Sequence, residues 1–460
     1  MARAKKEAAL TPEERLQAAL VPDWAWPYKL PGNWCWTRIT VITDILNGFA
    51  FKSQHYSSAG IRIIRITNVQ DGFIQDKKPV YYPLVSQKEI TPFMLKDGDF
   101  LMSLTGNVGR VAIIDASFLP AALNQRVACL RIKSEDSVRK EYIFYFCLQK
   151  QFVSDCIKSA KGSAQLNMST EWLKEYPIPL PPLAEQQRIV DRIKSLFAKL
   201  DEAKEKAQAV VDSFETRKAA ILHKAFTGEL TAKWRRTHGL SLDTWKEVAA
   251  DSLFEYVTSG SRGWAKYYDE SGAVFIRMGN LDHGTIELDF SDIQHVKLPN
   301  KAEGQRSRIR KNDILISITA DVGMVGLVRN DDFEAYINQH IALARPVMSE
   351  SAEFIAWYLV SDIGLKQMQE KQRGATKVGL SLNDIRALQL KIPLIEEQNE
   401  ILKVIKMWIG KEHQAKEAAE VVLDQIDLMK KSILARAFRG ELGTNDPSEE
   451  SAVELLKQLI

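Results

Sequence analysis

The spacing of apolar positions changes in the same order twice along this chain. In residues 34–182, short apolar runs such as IRIIRI, DFLMSL and RVAII are broken by turns rich in Gly, Asn and Asp, a pattern typical of β-strands. A helical pattern follows at 140–161. Residues 245–393 repeat this order with VFIRM, DILISI and an amphipathic stretch at 352–372. Each half therefore predicts a compact α+β module.

Each module ends in a proline-bearing segment, IPLPPLAEQ or KIPLIEEQ, after which a new element must begin. A long helical run follows, free of Pro and Gly up to Gly228 in the first copy and with one glycine, Gly410, before Gly440 in the second. Steps of four and three residues from Ile189 meet a single polar residue, Arg217, and the same steps shifted by 212 meet only Glu412. Seams sustained in both copies favour a coiled coil over an amphipathic helix lying on its own module. The predicted seam residues are Ile189, Ile193, Leu196, Leu200, Val210, Phe214, Ile221, Ile401, Ile405, Trp408, Val422, Ile426, Met429 and Ile433.

Short sequence strings recur at a nearly constant distance. SLTGNVGR from Ser103 returns as SITADVGM and NQRVACLR from Asn124 returns as NQHIALAR, both after 214 residues. RITNV from Arg65 returns as RMGNL, and KAAILHKAFTGEL from Lys218 returns as KKSILARAFRGEL, both after 212 residues. A period this long indicates a duplicated pair of domains, because solenoid units span only about 20 to 50 residues.

A duplicated chain commonly relates its halves by an approximate two-fold axis. With that axis across the helices, the two helices run antiparallel and the modules lie at opposite ends. The seam from Ile189 to Ile221 would be roughly 48 Å long at about 1.5 Å per residue. Modules whose centres are about 34 to 36 Å apart could each enter a major groove on one side of a DNA duplex. The pattern therefore predicts a split DNA site.

Composition narrows the class of protein without identifying its chemistry. The 460 residues are 45% hydrophobic and 26% charged, as in an ordinary globular protein. There is no apolar run of about 18 residues and no apolar region of a secretory signal at the start, so we expect a cytoplasmic protein. The 4 cysteines show no CxxC spacing and are read as reduced packing residues. A net charge of +3 is too small to indicate nucleic-acid binding by itself.

Familiar catalytic motifs are missing from the sequence. We find no GxxxxGK[ST] phosphate loop, no HExxH, no Cys/His cluster at zinc spacing and no GxSxG elbow. The Asp/Asn-Pro-Pro-aromatic motif of adenine methyltransferases is also absent, since the only Pro-Pro pair, at Pro181, is followed by Leu183. No catalytic residue and no metal ligand is predicted on this chain.

The two-copy plan, with IPLPPLAEQQRI and IPLIEEQNEI opening the helices and AFTGELTAKWR and AFRGEL closing them, resembles the DNA specificity subunit of type I restriction-modification systems. The resemblance spans nearly the whole chain. It implies an α+β fold with two similar target-recognition domains separated by two long antiparallel coiled-coil helices, related by a pseudo-two-fold repeat. The predicted segments are an N-terminal helical segment (1–29), recognition domain 1 (30–183), spacer helix 1 (184–239), recognition domain 2 (240–395), spacer helix 2 (396–442) and a C-terminal helical tail (443–460).

The same resemblance implies a role without catalysis. Each recognition domain would read one half of a bipartite, asymmetric double-stranded DNA target, and the helices would set the distance between the halves. Two methyltransferase subunits would bring S-adenosylmethionine, and two restriction and translocation subunits would bring ATP and Mg²⁺. Two alternatives remain open: a structural coiled-coil adaptor, and a diverged self-contained DNA methyltransferase or nuclease.

Candidate DNA contacts are polar residues on loops, above all where the two copies differ although their flanks match. The loop GFAFKSQHYSSAG and its counterpart GSRGWAKYYDESG meet this criterion. The glycine-rich turns KGSAQLN and RGATKVG could bring backbone N–H groups close to a phosphate. The predicted contacts are Lys52, Gln54, His55, Tyr56, Asn107, Arg110, Lys161, Gln165, Arg262, Trp264, Lys266, Tyr267, Arg306, Arg308, Arg373 and Lys377.

Repeated and terminal residues receive other interpretations. Asn124-Gln125 and Asn338-Gln339 recur unchanged, which favours a fold or backbone contact over base reading. Thr11 and Glu14 form a capping box ahead of RLQAAL, and Ser448 opens EESAVELLKQLI in a similar way. These terminal helices would either pack on the chain itself or bind a partner.

The two modules differ in charge. Residues 30–183 carry 18 basic and 13 acidic side chains, a net of +5, whereas residues 240–395 carry 18 and 21, a net of −3. Because tracking phosphates needs Lys and Arg, the second module must gather its positive charge on one face or rely on partner subunits.

Overall fold

A computed structural model gives the fold, and it describes residues 11–84, 87–162, 165–260, 262–298, 304–373 and 379–460. The chain divides into two compact units. Unit 1 comprises Met1–Glu205 together with Val422–Ile460, and unit 2 comprises Lys206–Val421. The end of the chain thus belongs to the same unit as its beginning.

The helices and strands follow the predicted α+β pattern. The helices are α1 (Pro12–Ala19), α2 (Ile39–Ile42), α3 (Gln87–Ile90), α4 (Lys140–Cys147), α5 (Lys150–Ser159), α6 (Thr170–Lys174), α7 (Leu183–Asp212), α8 (Phe214–Phe226), α9 (Ala232–Thr237), α10 (Ala352–Val360), α11 (Asp362–Glu370), α12 (Leu382–Arg386), α13 (Ile395–Ala437) and α14 (Ala452–Leu459). The strands are β1 (Cys35–Arg38), β2 (Thr43–Asn47), β3 (Ile61–Ile64), β4 (Tyr81–Tyr82), β5 (Phe100–Ser103), β6 (Val111–Ile113), β7 (Ala121–Leu123), β8 (Val127–Ile132), β9 (Pro177–Leu180), β10 (Lys246–Ala249), β11 (Phe254–Ser259), β12 (Tyr268–Asp269), β13 (Ala273–Ile276), β14 (Gln294–Val296), β15 (Ile314–Ser317), β16 (Val325–Leu327), β17 (Ala335–Ile337), β18 (Ile341–Pro346) and β19 (Gln389–Ile392).

The sheets of the two units correspond closely. Unit 1 has a sheet in the order β2-β8-β5-β6, and unit 2 has its counterpart β11-β18-β15-β16. A second sheet, β4-β3-β7 in unit 1 and β12-β14-β13-β17 in unit 2, contains one parallel pair in each case, β3 with β7 and β13 with β17. A two-stranded ribbon joins β1 to β9 and β10 to β19. The internal repeat therefore extends to strand order and direction.

The repeated Glu-Gln pair at the start of each long helix is buried and hydrogen-bonded. The Glu185 carboxylate accepts from the Trp34 indole N–H at 2.7 Å and from the Asn445 amide at 2.8 Å. Glu397 accepts in the same way from Trp245 at 3.0 Å and from the Thr231 hydroxyl at 2.7 Å. Both carboxylates have 0% exposure, so each needs these donors to offset its loss of water.

The Ala-Phe-x-Gly-Glu-Leu strings close the helices by filling a core. Phe438 packs on Tyr142 and Phe146 of unit 1 with ring centroids 5.1 and 5.3 Å apart. Phe226 makes the corresponding contacts with Phe354 and Tyr358 of unit 2 at 5.3 and 5.2 Å. Each α4–α5 or α10–α11 helix pair is thus anchored by the end of a long helix.

The glycine of each of these strings is required by its backbone. Gly228 and Gly440 have φ of +81° and +73°, a conformation that disfavours any residue with a Cβ. A Cβ at Gly228 would lie 2.5 Å from Leu242 Cδ2, and one at Gly440 would lie 2.4 Å from Pro31 Cγ. These positions end the helices as predicted from the sequence.

The long helices pack antiparallel within each unit. In unit 1, Lys430 forms an ion pair with Asp201, and three residues further along α7 Lys204 lies 3.9 Å from Asp427, which is three residues earlier on α13. In unit 2, the Phe214 ring lies 4.7 Å from the His413 ring. The two polar interruptions of the predicted seams pair with each other there: Arg217 Nε lies 2.6 Å from Glu412 Oε2.

The two long helices differ in continuity, and the sequence predicted the opposite difference. The first run ends at Asp212 and resumes as α8, because Ser213 turns its hydroxyl back onto the Ala209 carbonyl. The second run, α13, is unbroken for 43 residues through Gly410. The prediction of an uninterrupted first helix was therefore wrong.

The predicted seam lies on the packed face of the first run but not throughout the second. Ile189, Ile193 and Phe214 are at most 3% exposed, and the other predicted positions of the first run are buried or half-buried. On α13, however, Trp408, Val422 and Met429 are 43%, 38% and 43% exposed. The less exposed neighbours are Ile409, Leu423 and Lys430. The steps of three and four thus occur in the reverse order on α13.

Aromatic rings of the first run select this face. The ammonium groups of Lys416 and Lys430 lie 5.1 Å from the ring centroids of Phe214 and Phe197. These lysines place their aliphatic stems along the packed face, as long basic side chains commonly do. Apolar character alone does not reveal such positions.

The two chain ends pack together in unit 1. Thr11 and Glu14 form the predicted capping box of α1. Helix α14 begins instead from the cap Ser451, not Ser448, whose hydroxyl bonds Asp446. Ala452 and Leu456 of α14 are fully buried in the unit 1 core, and self-packing is the arrangement observed for both terminal helices.

The four cysteines are buried and unbridged. Burial raises the pKa of the Cys35 and Cys156 thiols to about 12, so both are protonated at neutral pH.

Candidate nucleic-acid interface

Four loops meet at one end of the β2-β8-β5-β6 sheet, which we call the loop end of the domain. They are the loops after β2, after β5, between β7 and β8, and after α5. Gln125 N donates to Phe49 O at 2.9 Å, Leu104 N to Arg126 O at 3.0 Å, and Gly106 N to Leu166 O at 2.9 Å. These backbone bonds connect the four loops directly.

Unit 2 builds its loop end in the same way from the loops after β11, after β15, between β17 and β18, and after α11. Ile318 N donates to His340 O at 2.9 Å, and Leu380 N donates to Ile318 O at 2.9 Å. Gly260 allows the first loop to approach, since a Cβ there would lie 2.1 Å from Ile337 O. In unit 1, a Cβ at Gly48 would lie 2.2 Å from the Asn124 backbone. Glycine is therefore needed where each first loop crosses the neighbouring turn.

The loop end of unit 1 presents unpaired cations. Lys52, Arg126 and Lys161 are exposed, and in the described part of the chain none has a carboxylate within 4 Å. Arg110 is engaged instead, because its guanidinium donates to Gln70 Oε1 at 2.8 Å and lies 3.6 Å from Asp71. Of the predicted cations here, Lys52 and Lys161 are the ones free to meet a phosphate.

Uncharged polar groups accompany these cations. Gln54 and His55 are exposed, with Gln54 Nε2 3.2 Å from His55 Nε2 and His55 Nδ1 3.0 Å from the Tyr82 hydroxyl. Tyr56 is half-buried against a small core around Phe51. The remaining predicted residues, Asn107 and Gln165, are exposed.

At the loop end of unit 2 the polar residues surround a cleft of about 670 Å³. The exposed cations Arg262, Lys266 and Arg306 line it together with Tyr267 and Gln339, and no Asp or Glu is among its described lining residues. The Lys266 ammonium lies 4.9 Å from the Tyr267 ring centroid. The acidic second module thus gathers positive charge in one concave place.

Other predicted residues of unit 2 have different positions. Trp264 is only 5% exposed and stacks on Phe275 with ring centroids 5.4 Å apart, so we assign it to the support of the loop. Arg308 is exposed but does not line the cleft. Arg373 is 83% exposed with its guanidinium 3.4 Å from Asp384. Lys377 lies outside the described residues.

The recurrent Asn-Gln pairs combine two tasks. Asn124 and Asn338 shape their turns, since each side-chain oxygen accepts from the backbone N–H two residues ahead, at 3.2 and 3.0 Å. Gln339 lines the cleft of unit 2. Sequence reasoning missed Gln339 because it recurs, and missed Arg126 although its counterpart is His340. The criterion of a difference between matching flanks would have found Arg126.

Two further features describe the chain as a whole. No helix in the described part of the chain is long and apolar enough to cross a membrane. Among the same residues no group of three or more His, Cys, Asp or Glu side chains is arranged to hold a metal ion.

Comparison with known proteins gives a consistent result. The family profile described as the type I restriction modification DNA specificity domain matches residues 31–211 and 243–420. The specificity subunit of the type I restriction enzyme EcoBI of Escherichia coli is 28% identical over 428 residues, covering 88% of this chain and 86% of the relative. The corresponding subunit of EcoKI from E. coli K12 is 23% identical, with 90% of each chain covered.

Solved structures support the same fold. The crystal structure of the HsdS subunit from Thermoanaerobacter tengcongensis aligns with a TM-score of 0.60 at 18% identity, covering 90% of this chain and 99% of that one. A chain from a structural study of the assembly and conformational transition of a type I restriction-modification system aligns with a TM-score of 0.63 at 19% identity, covering 90% and 100%. The duplicated loop ends, the paired helices and the two profile matches together lead to one conclusion. This chain belongs to the family of type I restriction-modification DNA specificity subunits and carries two copies of the specificity domain.

Proposed function

We propose that each specificity domain of this subunit, 30–183 and 240–395, reads one half of a bipartite, asymmetric double-stranded DNA target through its loop end. The observation that carries the proposal is the clustering at the loop end of exposed cations without carboxylate partners. In unit 2 these cations share a cleft with no acidic lining residue. Phosphate binding requires such positive charge.

The two loop ends differ in the side chains that they offer. Unit 1 presents Lys52, His55 and Arg126, and unit 2 presents Arg262, Lys266 and His340 at the matching loops. The backbone bonds that join the loops are shared. Two equal frameworks with different polar side chains suit two different half-sites, because base edges are distinguished by side-chain donors and acceptors.

We assign roles by chemistry. The lysines and arginines contact phosphates, which fixes register without reading sequence. The amides of Gln54, Asn107, Gln165 and Gln339 both donate and accept, so they are the candidates for reading base edges.

The paired helices would set the gap between half-sites. Inserting one heptad into α7 alone should break the pairing of Arg217 with Glu412, whereas a matching insertion in α13 should restore the pairing and lengthen the gap. Seven residues add about 10 Å of helix, or about three base pairs at 3.4 Å each. A gap that stays unchanged with both insertions in place would refute this role of the helices.

Catalysis is assigned to partner subunits. Two methyltransferase subunits would supply S-adenosylmethionine, and two restriction and translocation subunits would supply ATP and Mg²⁺. The purified chain alone should neither methylate nor cleave DNA.

The deciding experiment is to map methylated adenines in the genome of a cell that carries this chain with its partner subunits. We expect one asymmetric sequence made of two short specific parts separated by a fixed gap. A single uninterrupted motif, or two motifs methylated independently of each other, would contradict the proposal. Methylation by the purified chain alone would favour a self-contained enzyme.

A further inference from the structure

Unit 1 contains a cavity of about 390 Å³ that is separate from its loop end. The buried rings of Trp36, Phe146 and Phe152 line it, and Tyr176 adds a fourth aromatic side chain. An adjoining cleft of about 480 Å³ shares Asp155, Tyr176 and Pro177 with the cavity and continues along α5 to Lys158 and Ser159. Together they form one groove with an aromatic pocket at one end.

The pocket contains a buried hydrogen-bond donor without a partner. Gln149 lines it, is 7% exposed, and its side-chain amide nitrogen makes no hydrogen bond. Gln149 occupies the N-cap position of α5 but caps nothing. Since buried donors are almost always paired, this amide is a place where an acceptor is missing.

The second copy satisfies the same position internally. Ser361 is the N-cap of α11, where its hydroxyl donates to Tyr358 O at 2.6 Å and accepts from Gly364 N at 3.4 Å. His223, the counterpart of Ala435 in the pocket wall, pairs with Asp362 at 2.8 Å. The unpaired donor is therefore not needed by the shared fold and is specific to the first copy.

The charges around the pocket favour an anionic ligand. The Asp155 carboxylate is already occupied, because it accepts from the Gln151 amide at 3.0 Å and from the Tyr176 hydroxyl at 2.9 Å. Lys431 and Arg439 line the pocket from α13 and are exposed, and in the described part of unit 1 neither has a carboxylate within 4 Å. Arg439 contacts only the Tyr28 ring, at 5.4 Å from its centroid.

We propose that this groove binds an acidic peptide segment of a protein partner. One apolar side chain of the peptide enters the aromatic pocket, and a peptide oxygen accepts from the Gln149 amide. Flanking carboxylates meet Lys431 and Arg439, and the chain continues along α5. A peptide fits better than a small molecule because the groove extends beyond the pocket. The inference does not depend on DNA recognition.

The test uses the full chain and fluorescein-labelled acetyl-Glu-Asp-Phe-Glu-Asp-Glu amide, with binding followed by fluorescence anisotropy. We expect saturable binding below about 1 mM. Replacing the peptide Phe by Ala should weaken binding about tenfold or more, as expected for an anchor residue in a pocket. Acetylphenylalanine amide, which has the ring but no acidic flanks, should not compete at the same concentration.

Two protein variants test the two halves of the site. Gln149→Leu should weaken the Phe peptide about fivefold by removing the donor, and the double variant Lys431→Glu/Arg439→Glu should weaken it about tenfold in low salt. The double variant changes only exposed side chains and keeps the test valid if Gln149→Leu folds poorly. Lys199→Glu, an exposed cation of α7 outside the groove, is the matched control and should bind normally.

Three results would overturn the proposal: no binding of the Phe peptide, equal binding of the Ala peptide, or unchanged binding by the double variant. Equal affinity for acetylphenylalanine amide would also overturn it, because the pocket would then be a small-molecule site. DNA binding by Lys431→Glu/Arg439→Glu should remain normal, so a failure here is distinguishable from a failure of the proposed function.

Discussion

Single residues in this subunit carry charges in two contrasting settings. Glu185 is buried at a helix start and accepts hydrogen bonds from Trp34 and Asn445, whereas Arg262 and Arg306 are exposed in the cleft of unit 2. The first setting concerns stability and the second concerns binding. Each therefore has its own measurement.

Glu185 makes stability depend on pH. Burial raises the pKa of this carboxyl above its ordinary value, although its hydrogen bonds act in the opposite direction. The folded state thus holds the proton more tightly than the unfolded state, and the stability contributed by this group is lost as the pH rises above about 4.3. Relative to the wild type, Glu185→Gln should become progressively more stable between about pH 4 and pH 7.

Urea unfolding across this pH range measures the effect. Glu450→Gln, which removes an exposed carboxylate, is the control for a change in net charge. A stability difference between Glu185→Gln and the wild type that stays constant or falls with rising pH would contradict the assignment.

The cleft arginines should act as phosphate contacts. Arg262→Ala/Arg306→Ala should weaken DNA binding and reduce the slope of log K against log salt by about 2, because each lost phosphate contact contributes about 0.9. Lys366→Ala, an exposed cation on α11 lying 4.0 Å from Glu370, should leave the slope unchanged. Equal slopes for the double variant and the wild type would exclude these arginines from the interface.

At the scale of elements, α13 shows how the partner selects a helix face. Ile409 is 8% exposed, and the adjacent Trp408 is 43% exposed. Both are apolar, so periodicity alone admits either one to the seam. The packed face follows the aromatic residues of the first run, which also accept the stems of Lys416 and Lys430.

This choice of face predicts unequal costs for two neighbouring truncations. Ile409→Ala should lower the free energy of unfolding by about 2 to 5 kcal/mol, the usual cost of emptying a buried site. Trp408→Ala should cost less than about 1 kcal/mol, since its ring is largely in water. Chemical denaturation of both variants measures the difference, and a larger cost for Trp408→Ala would place the predicted register above the observed one.

At the scale of the whole molecule, each unit is assembled from distant parts of the chain. The core of unit 1 includes Phe438 and Leu456 from the end of the chain and Ile189 from α7. Arg15 near the start also donates to the Ile460 carbonyl at 2.7 Å. The tail is thus part of the folded first unit.

Leu456→Ala should therefore destabilise unit 1 selectively, by about 2 to 5 kcal/mol. Limited proteolysis should show faster cleavage in residues 30–183 and unchanged cleavage in residues 240–395. Gln458→Ala, an exposed neighbour on the same helix, should resemble the wild type. Equal acceleration in both domains would contradict the division into two units.

The sequence alone determined the features that depend on local chemistry. The repeat at 212 to 214 residues established two copies of one α+β domain. The Glu-Gln starts and Phe-x-Gly ends established where the long helices begin and end, because capping, burial and positive φ act over a few residues. The differing loops located the two loop ends, and most of the proposed DNA contacts lie on them.

Tertiary structure decided what depends on residues far apart in the chain. It joined the two termini, selected Ile409 over Trp408, buried Trp264 against Phe275, and occupied Arg110 with Gln70 and Asp71. It also brought Arg126 and Gln339 to the loop ends and left the Gln149 amide unpaired. Each outcome depends on which groups meet across the fold, and the spacing of residues along one chain does not contain that information.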